Sequence, residues 1–221
     1  MIKASSKIGW INSVEDVDLF KLKDLSNDLA KKVDEWGFRP QYILYVERAG
    51  LLIAHEIALY FKCPFSGIYT NRTGRNIKSK IKFLLRYLPR PITHLLRQIE
   101  LRSNLHSVKK ERDVYMGVHL PPKDLNILLV DDAVDTGFSL NAVLEFLGKH
   151  GYVRDQIKTA VLTTTQENPI CKPDISLFEQ ITFAFPWSYD SREYNEAWML
   201  YDNIKATISY SHLRGENWKS E

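Results

Sequence analysis

The residues Asn126-Ile127-Leu128-Leu129-Val130 are an apolar run short enough for a buried strand, and the run leads directly into Asp131-Asp132. Asp135-Thr136-Gly137-Phe138-Ser139 then turns the chain into a segment with helical patterning, about Phe138 to Lys149, closed by Gly151. A strand of this kind needs helices packed over it, which points to an α/β layer arrangement with a parallel sheet. In open α/β sheets the ligand sits beyond the C-terminal ends of the strands. This strand delivers two adjacent acids to that end.

Other segments fit the same architecture. Ser13 reads as an N-cap for a helix running to about Glu35, with Val17, Phe20, Leu25, Leu29 and Val33 on its apolar face. Gly37 is placed to end it. Gln41 to Val46 reads as a buried strand, Leu51 to Phe61 as a helix packed back on it, and Cys63 to Tyr69 as the next strand. This is the β-loop-α-β start of a parallel sheet. Asp113 to Val118 reads as a strand, as do Lys158 to Thr164 and Ile181 to Phe185; a loop carrying Pro169 and Pro173 separates the last two, and a Tyr- and Trp-rich tail follows.

At 221 residues the chain has room for one α/β domain with a small subdomain. Cys63 and Cys171 are far apart and form no metal-type spacing, as expected of reduced thiols. The N-terminus has no apolar stretch of signal-peptide length, and no window reaches the roughly 18 apolar residues that span a bilayer. A cytoplasmic location is the expectation.

The chemistry of the Asp131–Ser139 segment is that of an anion site. Gly137 allows a tight turn, after which the amides of Thr136, Gly137, Phe138 and Ser139 point at a common spot. With the Thr136 and Ser139 hydroxyls and the helix dipole, that spot suits a dianionic phosphate. Carboxylates beside a phosphate would repel it unless they face hydroxyls or a metal. Asp131 and Asp132 can take ribose hydroxyls, directly or through Mg²⁺, which favours a few carboxylates plus substrate oxygens.

In this order and spacing, the segment resembles the phosphoribosyl pyrophosphate (PRPP) signature of type I phosphoribosyltransferases. The resemblance implies an α/β fold: a mostly parallel sheet flanked by helices, with a C-terminal hood over about residues 165–221. It implies that Asp131 and Asp132 hold the ribose diol and Mg²⁺, while Thr136, Gly137, Phe138 and Ser139 bind the 5-phosphate. Asp135 would be the catalytic residue, close to the attacking nitrogen of the base. There it would take the base's proton or steady positive charge on the ribose ring. Phe138 stands where many members have Gly or a polar residue, but its amide remains.

Two further stretches are similar to the family. Val46-Glu47-Arg48-Ala49-Gly50-Leu51 lies where members often carry an Arg-Gly-Gly loop that cups pyrophosphate. Arg48 would be a charge-assisted donor there, with Ala49 and Gly50 completing the loop. Ala49 replaces the first expected Gly, and Glu47 adds a negative charge beside a polyanion site; both departures count against tight pyrophosphate binding. Cys171-Lys172-Pro173-Asp174 and Phe183-Ala184-Phe185-Pro186-Trp187 resemble the hood of the xanthine- and hypoxanthine-type branch. That implies stacking of a purine on Phe183, Phe185 or Trp187. The lysine that meets the purine oxygen in that branch would fall near Thr165-Gln166, where Gln166 is left as the hydrogen-bonding candidate.

Between Arg72 and Arg112 stand twelve Lys and Arg residues against Glu100 and Glu111. That is a local charge of +10 in a chain of net +3, so the remainder carries −7. Ile77, Ile81, Leu84 and Leu88 recur at helical spacing, as do Ile92, Leu95, Leu96 and Ile99 after Pro89-Arg90-Pro91. Two short amphipathic helices in a basic insertion over about residues 71–112 are expected. The insertion either covers the sheet or pairs subunits of a homo-oligomer, or brings Arg72 and Arg75 to pyrophosphate. Its charge also leaves nucleic acid or a membrane surface open as a partner. The expected function is transfer of phosphoribose from PRPP to a nucleobase; the alternative is a non-catalytic regulatory protein that binds PRPP or a nucleotide.

Overall fold

The computed structural model describes residues 14–72, 112–116 and 120–214. Its main sheet contains β2 (Tyr42–Glu47), β3 (Phe65–Arg72), β4 (Arg112–Met116), β5 (Ile127–Val134), β6 (Ile157–Thr164) and β7 (Ile175–Glu179). The spatial order is β4-β3-β2-β5-β6-β7, with every pairing parallel except that of β4 with β3. A separate pair joins β1 (Val14–Asp16) to β8 (Thr182–Ala184). Among the described residues the α-helices are α1 (Leu19–Glu35), α2 (Gly50–Phe61), α3 (Phe138–Lys149) and α4 (Tyr194–Arg214).

The period-2 geometry of a strand explains why the central runs are apolar throughout. Ile43, Tyr45, Leu128, Val130, Ala160 and Leu162 face one layer, where α1 and α2 contribute Leu29, Val33, Ile53 and Ile57. Alternate residues Leu44, Val46, Ile127, Leu129 and Val161 face the other layer, against Leu140, Val143 and Leu147 of α3. Both faces of β2 and β5 are therefore buried.

Three boundaries differ from the sequence reading. Ser13 lies outside the described residues. The helix it was expected to cap begins at Leu19, because Val14–Asp16 is committed to pairing with β8 and Asp18 supplies the cap, its Oδ1 accepting from the Lys21 amide at 2.7 Å. Strand β5 does not stop at Val130. Its pairing with β2 ends there, but β6 continues alongside it through Asp131↔Val161, Ala133↔Thr163 and Val134↔Thr164. The segment with Pro169 and Pro173 ends in a strand, β7, whose start is tied to β6: Asp174 Oδ2 accepts from both the amide and the hydroxyl of Thr159 at 2.8 Å. β7 thus extends the main sheet. The aromatic tail forms α4.

The expected insertion helices and Arg75 lie outside the described residues. Arg72 is paired with Arg112 across β3 and β4, so the chain leaves and rejoins the sheet at neighbouring positions. Because β3 runs parallel to β2 and β5, that point is at the C-terminal edge of the sheet.

Candidate active site

Chain order fixes where a ligand can enter. From β2 the chain moves to β3 on one side, and β5 and β6 are added on the other, so the direction of winding reverses between β2 and β5. Loops diverge from neighbouring strands at such a point and leave a crevice. Here they are the Arg48–Gly50 turn after β2 and the Asp135–Gly137 turn after β5.

Each turn opens a helix without a side-chain cap. Ala49 precedes α2 and Gly137 precedes α3, and neither of these N-cap residues makes a side-chain cap bond. The start of α1 is different: Asp18 caps it, and Glu193 Oε2 accepts from the Leu19 amide at 2.6 Å. The α2 and α3 starts keep amides for an outside acceptor, the arrangement that receives anions.

The turn after β5 is shaped by a glycine with two constraints. Gly137 has φ +81°, and a Cβ there would lie 2.6 Å from both the amide nitrogen and the carbonyl oxygen of Cys171. The Ile170 amide also donates to the Thr136 carbonyl at 2.9 Å, so the 170–171 backbone supports the loop from behind. Asp131, Ala133, Val134, Asp135, Thr136, Gly137, Phe138, Ser139 and Leu140 line one cleft. The structure therefore brings Asp131, Asp135 and the four expected phosphate-loop residues together, with Asp132 beside them on β5.

The acids are not equivalent. Asp131 is buried, and its Oδ1 accepts from the Asp132 amide at 2.9 Å; Asp132 Oδ1 accepts from the Ala133 amide at 2.7 Å. Burial, followed by the charge of Asp132, pushes the Asp131 carboxyl well above the usual carboxylate range. Burial likewise pushes Asp132 up to about 6, against hydrogen bonding from the Ala133 amide. Asp135 is instead held in orientation: its Oδ1 accepts from the Thr165 hydroxyl at 2.6 Å, and the Thr165 amide donates to the Val134 carbonyl at 2.9 Å. Thr165 was not singled out for this role in the sequence, since its contact depends on β6 ending opposite β5.

A buried and a half-buried carboxyl, adjacent on β5, are suitable donors for a hard divalent cation, whose charge would offset what burial disfavours. Among the described residues no cluster of three or more His, Cys, Asp or Glu side chains could hold a metal alone. The donor set therefore fits Mg²⁺ only in its usual manner, with water or substrate oxygens completing the shell.

In the other loop, the Glu47–Arg48 peptide bond is cis. Arg48 is exposed, and its guanidinium lies 5.9 Å from the ring centroid of Trp198 on α4. Gly50 is buried, and a Cβ there would come within 2.9 Å of the Val130 carbonyl oxygen, so this glycine lets α2 pack against β5. Arg72 ends β3, but nothing is described of its side chain.

Glu47 behaves differently from the sequence expectation of a charge facing the polyanion. Its side chain is only 2% exposed. Lys205 Nζ donates to Oε1 at 2.6 Å, the Tyr45 hydroxyl donates to the same oxygen at 3.3 Å, and the Tyr201 hydroxyl donates to Oε2. Lys205 and Tyr201 come from a helix more than 150 residues away in sequence, beyond the reach of local patterning.

Of the expected base-stacking residues, Phe183 and Phe185 are 6% and 5% exposed and belong to the core beside α1 and α2. Trp187 is half-buried and stacks on Phe185, with centroids 4.8 Å apart and planes 10° apart. Trp187 is thus the ring of the three with area to offer a base. Gln166 is half-buried just beyond the end of β6.

Fold and cleft together define an α/β protein with a cleft of anion-site character at the switch point of a mostly parallel sheet. The chain matches the family model of the phosphoribosyl transferase domain over residues 18–193, and it belongs to that family. No curated protein sequence matches it at a significant level. Among solved structures it is similar to a purine phosphoribosyltransferase from Pyrococcus horikoshii, at 22% identity over 78% of this chain and 93% of the other, with a TM-score of 0.55. A xanthine-guanine-hypoxanthine phosphoribosyltransferase from Helicobacter pylori gives 19% identity, 80% and 95% coverage and the same TM-score. A hypothetical protein from Neisseria gonorrhoeae with bound ppGpp gives 15% identity, 86% and 98% coverage, again at 0.55. At these identities the likenesses establish the fold.

Proposed function

We propose that this protein transfers the 5-phosphoribosyl group of PRPP to a purine-type base, releasing pyrophosphate. The observation that carries this reading is the pair of helix starts without N-cap side-chain bonds at the β2–β5 switch point, with the adjacent carboxyls of Asp131 and Asp132 on β5. One anion site serves the 5-phosphate and the other the pyrophosphate; the carboxyls serve the ribose that joins them.

In this reading the Thr136–Ser139 amides and hydroxyls hold the 5-phosphate and so fix the ribose in place. Asp131 and Asp132 accept from the ribose hydroxyls and hold Mg²⁺, which would neutralise the pyrophosphate leaving group. The bond between ribose C1 and the pyrophosphate oxygen breaks, and its electron pair departs with pyrophosphate. A nitrogen lone pair of the base forms the new bond to C1, and the base then loses a proton. Asp135, oriented by Thr165, faces that step as electrostatic support for the cationic ribose and as proton acceptor. Trp187 stacks on the base, and Gln166 takes the position where the purine branch has a lysine.

The test is product formation from PRPP and Mg²⁺ with hypoxanthine, guanine, xanthine, adenine and pyrimidines. Turnover with one or more purines, with blurred selection among oxopurines, is expected. Turnover of a pyrimidine alone would defeat the purine assignment. PRPP binding without pyrophosphate release for any base would make the protein a sensor instead of an enzyme.

A further inference from the structure

Glu47 is the last residue of β2 and the residue immediately before the Arg48–Gly50 turn. An uncompensated carboxylate there would oppose a polyanion in the neighbouring turn. The fold goes to some length to accommodate it. Gly67, opposite Tyr45 on β3, leaves the space that the Glu47 side chain occupies: a Cβ at Gly67 would lie 2.5 Å from Glu47 Oε1. Around the carboxylate stand Tyr45, Tyr201 and Lys205, and Lys205 also donates to the hydroxyls of Tyr69 and, at 3.1 Å, Tyr201.

We propose that Lys205 is a positioning residue for pyrophosphate binding, which neutralises Glu47 and anchors α4 against the turn that carries Arg48. This rests on the phosphoribosyl-transfer reading of the site. With Glu47 and Lys205 cancelling, Arg48 remains the net charge of the turn and is available to a polyanion. About two helix turns before Lys205, the indole of Trp198 lies under the Arg48 guanidinium, so the same helix that cancels Glu47 also supports Arg48. Burial lowers the Lys205 pKa, but the hydrogen bonds to Glu47, Tyr69 and Tyr201 outweigh it and hold the ammonium above its ordinary value. The cation therefore persists through neutral pH.

The proposal separates two halves of one ligand. Binding at the Thr136–Ser139 loop should not depend on Lys205, whereas binding at the Arg48 turn should. Calorimetry on the full chain would compare Mg²⁺-PRPP with ribose 5-phosphate, which lacks the pyrophosphate. The variants are Lys205→Met, Lys205→Arg and the double variant Glu47→Gln/Lys205→Met. Lys205→Met should weaken PRPP binding about tenfold or more, the scale of a desolvated charge losing its partner, and leave ribose 5-phosphate binding unchanged. Lys205→Arg should retain most PRPP affinity. The double variant should recover most of the loss and also keeps the test valid if Lys205→Met folds poorly, since it leaves no buried unpaired charge. Parent-like PRPP affinity in Lys205→Met would overturn the proposal while leaving the phosphoribosyl reading intact. Equal loss of both ligands, unrescued in the double variant, would reduce α4 to a structural support. A parent that binds neither ligand would defeat the phosphoribosyl reading, and this inference with it.

Discussion

Gly137→Ala tests whether the turn after β5 has its shape for the reasons given. The residue sits at φ +81°, where an L side chain costs about 1–2 kcal/mol. The new Cβ would also lie 2.6 Å from the Cys171 amide nitrogen and carbonyl oxygen, against ordinary contacts that begin at 3.4 Å. The 170–171 backbone must therefore retreat by about 0.8 Å. That strains the 2.9 Å hydrogen bond from the Ile170 amide to the Thr136 carbonyl, worth roughly 1 kcal/mol. Together these give an expected destabilisation of roughly 2–3 kcal/mol. The phosphate-loop amides move with the turn, so PRPP affinity should fall about tenfold as well. Gly148→Ala is the control: it lies in α3 with nothing within 4 Å of its would-be Cβ, and it should stabilise by about 0.5–1 kcal/mol. Urea denaturation and PRPP calorimetry on both variants provide the comparison. A Gly137→Ala protein as stable as the parent, with parent-like PRPP affinity, would refute both the conformational and the packing argument.

Other substitutions divide binding from chemistry. Asp135→Asn should keep most PRPP affinity while lowering kcat by ~10²–10⁴, and Thr165→Val should lower kcat in the same direction by less, measured as pyrophosphate release under saturating Mg²⁺. Asp131→Asn or Asp132→Asn should instead weaken Mg²⁺-PRPP binding in calorimetry, because the ribose and metal contacts precede any reaction. Phe185→Ala should cost about 3–5 kcal/mol in urea denaturation, since its ring is buried. Trp187→Ala should chiefly raise KM for the base in steady-state assays.

The sheet and most of its helices were legible because their signals are local. The runs Tyr42–Val46, Ile127–Val130 and Ala160–Leu162, inside β2, β5 and β6, are apolar on both faces, which a covered parallel sheet requires, and α2 and α3 follow the first two of these strands. What escaped the sequence depends on partners elsewhere in the chain. Val14–Asp16 has no strong strand pattern of its own and is a strand because β8 is beside it. Ile175–Glu179 is a five-residue run that begins two residues after Pro173, and it is a strand because Asp174 fixes it to Thr159. Asp131 lies within β5 rather than after it because β6 extends further than β2. In each case tertiary pairing decided an element that local propensity left undetermined.

The same division holds within the site. Order and spacing alone pointed to the Asp131–Ser139 residues because one strand, one turn and one helix start supply them all. Glu47 could only be misjudged locally: in sequence it is an acid beside an anion loop, and nothing near it in the chain points to its actual ion-pair partner. The countercharge comes from Lys205, on a helix whose pattern reads as an aromatic tail. Phe183 and Phe185 were open to the opposite error, since an aromatic in a Phe-x-Phe-Pro-Trp stretch has the same composition whether it lines a pocket or fills a core. Burial separates them: two rings are consumed by packing against α1 and α2, and Trp187 retains exposed area. The anion loops are thus encoded locally, whereas the charge balance and the choice of stacking ring are encoded by what the rest of the fold brings against them.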